Sequence, residues 1–350
     1  MNQKRDNKTL PVRSIFFLLS LLFLVLLVAD LLLGSVIVPL KHIFISVFPT
    51  AETNETFRTI ILDFRLPKAI TAILTGAALS VSGLQMQTVF RNPLAGPFVL
   101  GISAGASLGV ALFVLGFSSV VAFGVVSVSG AWPLAIVAWI GSFLVMLLVL
   151  YVSTRVNDIM TILILGILFT SAVSAIVSIL QYFSSESMLK AFIIWTMGSL
   201  GSVTNAQLSV MAPAILLGIL LALFKIKDLN AFLLGENYAR SLGVKIISSR
   251  IVIFLSTSLL AGTITAFCGP IGFIGIAVPH ICRVIFKTSD HLVLVPAVIL
   301  TGGIVMLFSD IVSQLPGMQT TLPINSVTAI IGIPVIMWMI IKNKKFVSVS

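Results

Sequence analysis

Long unbroken apolar runs, separated by short polar connections, dominate this chain. Ten are legible, at about 15–34, 66–88, 98–117, 131–152, 159–183, 209–225, 249–268, 272–286, 292–313 and 324–341. A helix needs roughly 20 apolar residues to cross the hydrocarbon of a bilayer, and most of these runs approach that length. They are continuous and not alternating, which predicts spanning helices and not barrel strands. The eighth run is short and carries Pro279, His280 and Arg283, and the small residues of 118–130 blur the boundary between the third and fourth. The first run follows Lys4, Arg5, Lys8 and Arg13 and so opens like a secretion signal. It is too long for a signal core and lacks a small-residue cleavage pattern, so it reads as an uncleaved first span. The expected fold class is an all-α polytopic membrane protein of about ten transmembrane helices.

Composition agrees with that pattern. Of 350 residues, 58% are apolar and only 9% are charged. A soluble domain carries roughly 25% charge, so this chain could not cover a water-facing surface. Disorder is excluded because it requires low hydrophobicity. Ten spans put both termini on one face, and the basic residues then divide 16 to 5 in favour of that face. The minority are Lys41, Arg58, Arg65, Lys68 and Lys190. The positive-inside rule makes the shared face cytoplasmic, in a bacterial cell or inner membrane. The net charge of +10 therefore reads as topology with some attraction to anionic lipid, and not as a nucleic-acid surface. Cys268 and Cys282 stand in apolar context without metal-ligand spacing and read as small buried hydrophobes.

Catalytic chemistry is sparse. There is no HExxH and no cluster of histidine, cysteine and acid, so no catalytic residue, metal site or cofactor is expected. No GxxxxGK[ST] phosphate loop occurs, so any ATP drive resides on a separate subunit. Asp30 and Asp310 lie near outer span ends and the deep parts of the spans are almost free of charge, which disfavours coupling to an ion gradient.

Three features stand out. Gly101, Gly105 and Gly109 form two overlapping GxxxG steps with Ser103, Ala104 and Ser107 between them, suited to close helix packing or to a pathway wall. Ser171, Ser174, Ser178 and Gln181 share one face of the fifth span, and Asn325, Thr328 and Gly332 make a shorter stripe on the tenth. Hydrogen bonds between helices and a cavity wall for a polar cargo both account for these stripes. The loop 226–248 reads as two short helices broken at Gly235 and stopped at Gly243, either a surface turn or a cytoplasmic docking element.

Arg65-Leu66-Pro67-Lys68, Gly76-Ala77-Ala78-Leu79, the Gly83, Gln85, Met86, Gln87 set and Arg91-Asn92-Pro93-Leu94-Ala95 occur in that order. Leu234-Gly235-Glu236, Gly269-Pro270-Ile271-Gly272-Phe273-Ile274-Gly275, Pro279-His280 with Arg283, and Leu322-Pro323-Ile324 follow. Together they resemble the permeases of the iron-siderophore, haem and vitamin B12 ABC importers. That resemblance implies a type II ABC importer permease architecture over a single domain, working as a homodimer. It also implies two cytoplasmic ATPase subunits and a substrate-binding protein outside. It assigns ATPase coupling to Gly235, Glu236, Ala239, Arg240, Leu242 and Gly243, and an inner gate to Asp158, Ile159, Met160 and Thr161. The pathway would run along Ser171, Ser174, Ser178, Gln181, Asn325 and Thr328, and a short outer helix would occupy 187–200. Arg65 and Lys68 would meet acids of the binding protein, with Gln314 standing where a third basic residue is usual. The rival reading is an ion-coupled transporter or channel for a small solute. An intramembrane enzyme is a third, without a visible catalytic pair.

Overall fold

A computed structural model describes residues 11–34, 38–39, 55–116, 131–156, 158–314 and 321–342. Lys4, Arg5, Lys8, Lys41 and the run 118–130 lie outside the described residues. Among those described, seven helices are long and apolar enough to cross a membrane, and three shorter apolar helices stand at the third, eighth and tenth positions. In chain order the spans are Val12–Leu32, Leu66–Val89, Ile102–Ala111, Ala131–Arg155, Ile159–Phe183, Asn205–Phe224, Ile246–Cys268, Ile274–Phe286, His291–Ser313 and Ile324–Lys342.

Two spans differ in build from the expectation. The second begins early, because Glu55–Thr59 and a π-helical turn, Ile60–Arg65, lead into it without a break. Pro67 has no N–H to offer the carbonyl of Asp63, and the chain accommodates the loss in a widened turn and continues. The third span is three pieces and not one helix over 98–117: a 3-10 turn at Pro97–Leu100, the helix proper, and a π turn at Leu112–Gly116. Gly101 separates the first two pieces at φ +76°, a left-handed conformation that glycine adopts without steric cost. Where a short helix was expected over 187–200, the chain forms one at Glu186–Thr196, starting one residue earlier and ending four earlier.

The second span is the axis of the bundle, packing against the ninth, eighth, seventh and sixth. Burial reflects this: 83% of its most apolar window is enclosed, against 17% for the fifth span. Absent side chains allow the close approach. A Cβ on Gly76 would lie 2.0 Å from the Gly302 carbonyl oxygen, and one on Gly83 would lie 1.8 Å from that of Gly275. The GxxxG steps of the third span act the same way, Gly105 against Gly141 and Gly109 against the Val137 carbonyl. Polar side chains then fix the register. The buried Gln85 amide donates to Ser256 and accepts from Thr257 on the seventh span, at 3.0 and 2.9 Å. Gln87 donates to the Ile276 carbonyl at 3.1 Å and accepts from Arg283 at 2.5 Å on the eighth. Each bond satisfies a group that would be costly unpaired in an apolar interior.

Candidate functional site

A cavity of about 550 Å³ opens between the third, fifth and tenth spans. Ser103, Ser107, Thr170, Ser174, Ser178 and Asn325 supply its polar wall, and Phe98, Phe192 and Phe273 its apolar one. Among the described residues no ionised side chain lines it. The fifth span offers its hydroxyls cheaply: Ser178 Oγ donates to the Ser174 carbonyl at 2.9 Å, one turn back in its own helix. Its oxygen stays available to accept from a solute. Asn325 is held in place because its Oδ1 accepts the Gly272 N–H at 2.9 Å.

The two polar stripes divide in the structure. Ser174 and Ser178 face the cavity, whereas Ser171 and Gln181 do not line it. On the tenth span Thr328 is fully buried and donates to the Asn325 carbonyl at 3.0 Å, and Gly332 abuts Phe273. Only Asn325 of that stripe reaches the cavity. The GxxxG segment serves both uses, since its glycines pack while Ser103 and Ser107 point to the space.

At one end of the bundle the fifth span begins at a capped turn. Asp158 accepts from the Thr161 hydroxyl at 2.7 Å and from the N–H groups of Thr161 and Met160 at 3.0 and 3.2 Å. These bonds, the Thr161 hydroxyl first, hold its carboxyl below the ordinary range. Ile159 packs into an apolar cluster with Phe90, Phe232, Ala239 and Phe254, and Met160 is exposed. The turn at Asp158 and the 226–248 loop therefore share one core.

That loop forms two helices, Ile226–Leu233 and Glu236–Ser241, joined at Gly235 with φ +100°. Gly235 is buried beneath the Arg91 guanidinium, 3.5 Å from where a Cβ would stand. Glu236 pairs with Arg250 on the seventh span. Ala239 is wholly enclosed. Of the six residues expected to meet a partner, Arg240, Leu242 and Gly243 are exposed, and Gly235, Glu236 and Ala239 shape the loop from within. Two apolar residues outside the expected coupling set stand out beside them: Leu234 at 61% and Tyr238 at 53% exposure. Their signal was present as apolar side chains flanking a glycine break, but the facing of so short a helix was not legible. Lys225 and Ser249 both bond Asp228. Burial alone would raise that carboxyl, yet the two bonds outweigh it and the net displacement is downward. Asp290 is likewise held low, by the Leu292 N–H and then the Asn230 amide.

At the opposite end, Arg65 and Lys68 are engaged inside the chain. Arg65 Nη1 donates to the Leu31 carbonyl at 2.6 Å, and Lys68 Nζ lies 2.9 Å from Asp310. Gln314 completes the group, donating to Asp310 at 2.8 Å and reaching Asp30 at 3.4 Å. Asp30 and Asp310 are 3% and 1% exposed, so the two basic residues compensate buried acids. Docking through them would require exchange with those acids. Lys68 and Asp310 also line a smaller cavity of about 380 Å³ beside the end of the helix Glu186–Thr196.

The chain is similar to known proteins over most of its length. The FecCD transport family is matched over residues 21–342. A hemin transport system permease protein of Yersinia pestis is 32% identical over 328 residues, 93% of this chain and 96% of that protein. A vitamin B12 import system permease protein of Klebsiella pneumoniae is 33% identical over 344 residues, 98% and 96% of the two chains. Among solved structures, a chain assigned to the metal-chelate type of ABC transporter, in an inward-facing conformation, superposes with a TM-score of 0.81. Its identity is 30%, covering 94% of this chain and 99% of that one.

Proposed function

The chain belongs to the FecCD transport family, and on that premise we propose that it is the membrane permease of a binding-protein-dependent ABC importer for a metal chelate or corrinoid. Haem, a ferric siderophore and vitamin B12 are the candidate cargoes. One observation carries the reading: a cavity of about 550 Å³ walled by hydroxyls, an amide and aromatic rings, with no ionised group among the described residues. Such a wall lets a large polar solute slide without being held by a charge.

In this reading the chain breaks no bond. Two copies would face each other across the fifth and tenth spans, whose outward faces are apolar and unpacked within one chain. ATPase subunits would grip Leu234, Tyr238, Arg240 and Leu242 on the cytoplasmic side. The binding protein would dock at the outer ends of the second and ninth spans, where Lys68 is reachable at 18% exposure. Closure of the ATPases would move the coupling helices and, through the shared apolar cluster, the inner turn at Asp158. The cavity would thereby open to one side and close to the other. The single-domain organisation and cytoplasmic termini belong to the same reading.

The test is ATP-dependent uptake of labelled haem, ferric siderophore and cobalamin into proteoliposomes holding the permease with its ATPase and binding protein. Ser174→Trp would fill the cavity without disturbing a buried contact, because Ser174 is exposed. It should cut uptake at least tenfold while the folded yield stays unchanged. Transport by the permease alone, driven by an ion gradient, would favour the rival ion-coupled reading instead.

A further inference from the structure

The 226–248 loop is fastened to the bundle by a buried polar cluster that joins three elements. Asn230, on the first loop helix, accepts the His291 backbone N–H at 2.9 Å through Oδ1 and meets His291 Nδ1 at 2.7 Å through the same atom. Its Nδ2 donates to Asp290 at 2.7 Å. His291 Nε2 lies 2.8 Å from the Thr88 hydroxyl at the end of the second span. His291 is wholly buried and Thr88 is 2% exposed.

The hydrogen-bond roles follow from the partners. The Asp290 carboxylate can only accept, so the Asn230 NH2 faces it and the Asn230 oxygen faces the ring. His291 Nδ1 then carries the proton, and Nε2 accepts from Thr88. The Thr88 hydroxyl has one proton and a second acceptor within reach, the Leu84 carbonyl at 2.8 Å.

We infer that Asn230, His291 and Thr88 are positioning residues that clamp the first loop helix to the inner ends of the second and ninth spans, so that a push on the loop moves those two spans as one body. The clamp stands on the geometry. What pushes the loop rests on the transport reading above.

Two further attachments make the body rigid along its length. The second and ninth spans touch backbone to backbone at Gly76 and Gly302. At their outer ends Lys68 and Asp310 are paired at 2.9 Å. Inner clamp, glycine seam and outer pair lie on the same two helices, so tilt at one end is carried to the other. The fifth span stands apart, with only 17% of its window enclosed. Part of the cavity wall opposite it, Gly272 and Phe273, leads into the eighth span, which packs on the second and ninth. Motion of the clamped body therefore changes the width of the cavity.

The experiment uses Asn230→Leu, Thr88→Val and Thr88→Ser. The valine fills the same volume without a hydroxyl, and the serine restores it. In proteoliposomes with the partner subunits, ATP hydrolysed per cargo molecule imported should rise at least fivefold for Asn230→Leu and Thr88→Val and remain at the wild-type value for Thr88→Ser. Amide hydrogen exchange on the purified permease is the second readout. Asn230→Leu should speed exchange in Ile226–Leu233 and at the start of the ninth span, and leave the fifth span unchanged. A wild-type ATP-to-cargo ratio in both Asn230→Leu and Thr88→Val, or Thr88→Ser as impaired as Thr88→Val, would overturn the proposal. If wild-type protein shows no ATP-dependent uptake, the transport reading fails and the exchange measurement alone decides the clamp: unaltered exchange in Asn230→Leu removes it.

Discussion

The Lys68 ammonium lies 2.9 Å from a carboxylate oxygen of Asp310, a residue of the ninth span that is 1% exposed. A basic residue expected at an outer surface is thus committed to a buried acid. In a low-dielectric setting the loss of one partner strands the other charge, typically at about 3–5 kcal/mol. Lys68→Met should therefore lower the thermal midpoint of the purified permease strongly, and Lys68→Met with Asp310→Leu should recover much of the loss. Equal midpoints for the single and double variants would show that the pair does not matter to stability. For the same reason, reversing Lys68 to Glu is not a clean probe of docking, because it places a third acid beside Asp30 and Asp310.

The glycines separate into those held by space and those held by conformation. A Cβ on Gly83 would stand 1.8 Å from the Gly275 carbonyl oxygen, a backbone atom on another helix. Gly83→Ala should cost about 3 kcal/mol or prevent folding, since the helices must part. A Cβ on Gly243 would meet nothing within 4 Å among the described residues, though its φ is +85°. Gly243→Ala should cost only about 1–2 kcal/mol, the left-handed strain of one residue. Detergent unfolding of the two variants, side by side, reads the difference.

Tyr238 on the second loop helix and Leu242, which caps its C-terminal end, are 53% and 59% exposed. Neither supports the fold, so Tyr238→Ser with Leu242→Ser should change stability by less than about 0.5 kcal/mol. Burying such side chains against a partner contributes roughly 1.5–3 kcal/mol each. The double variant should therefore retain at least tenfold less ATPase in pull-down from cells expressing the whole complex. Full retention would move the contact elsewhere on the loop.

How far the sequence could be read depended on the range of the physics involved. A span is a local property, because some 20 apolar residues partition into hydrocarbon whatever surrounds them. The fifth span, Ile159–Phe183, was accordingly legible to the residue, and the ninth missed only its first residue, His291. The break at Gly235 was legible too, since the reason for that glycine lies in its own backbone. The third span was harder, because Gly101 and the π turn interrupt a run that remains apolar throughout.

Facing was decided only by the fold. Thr328 repeats the spacing of a polar stripe, yet it turns inward, while Asn325 one turn earlier reaches the cavity. Ala239 and Tyr238 are neighbours on one short helix, one enclosed and the other open. The polar links join residues far apart in the chain: Thr88 with His291 across 203 positions, and Gln314 with Asp30 across 284. Membrane insertion and helix length follow from free energies that act along a local stretch, and these the amino-acid order determined by itself. Which charge is neutralised, which hydroxyl meets the cavity and which residues clamp the loop depend on helices brought side by side, and packing alone settled those.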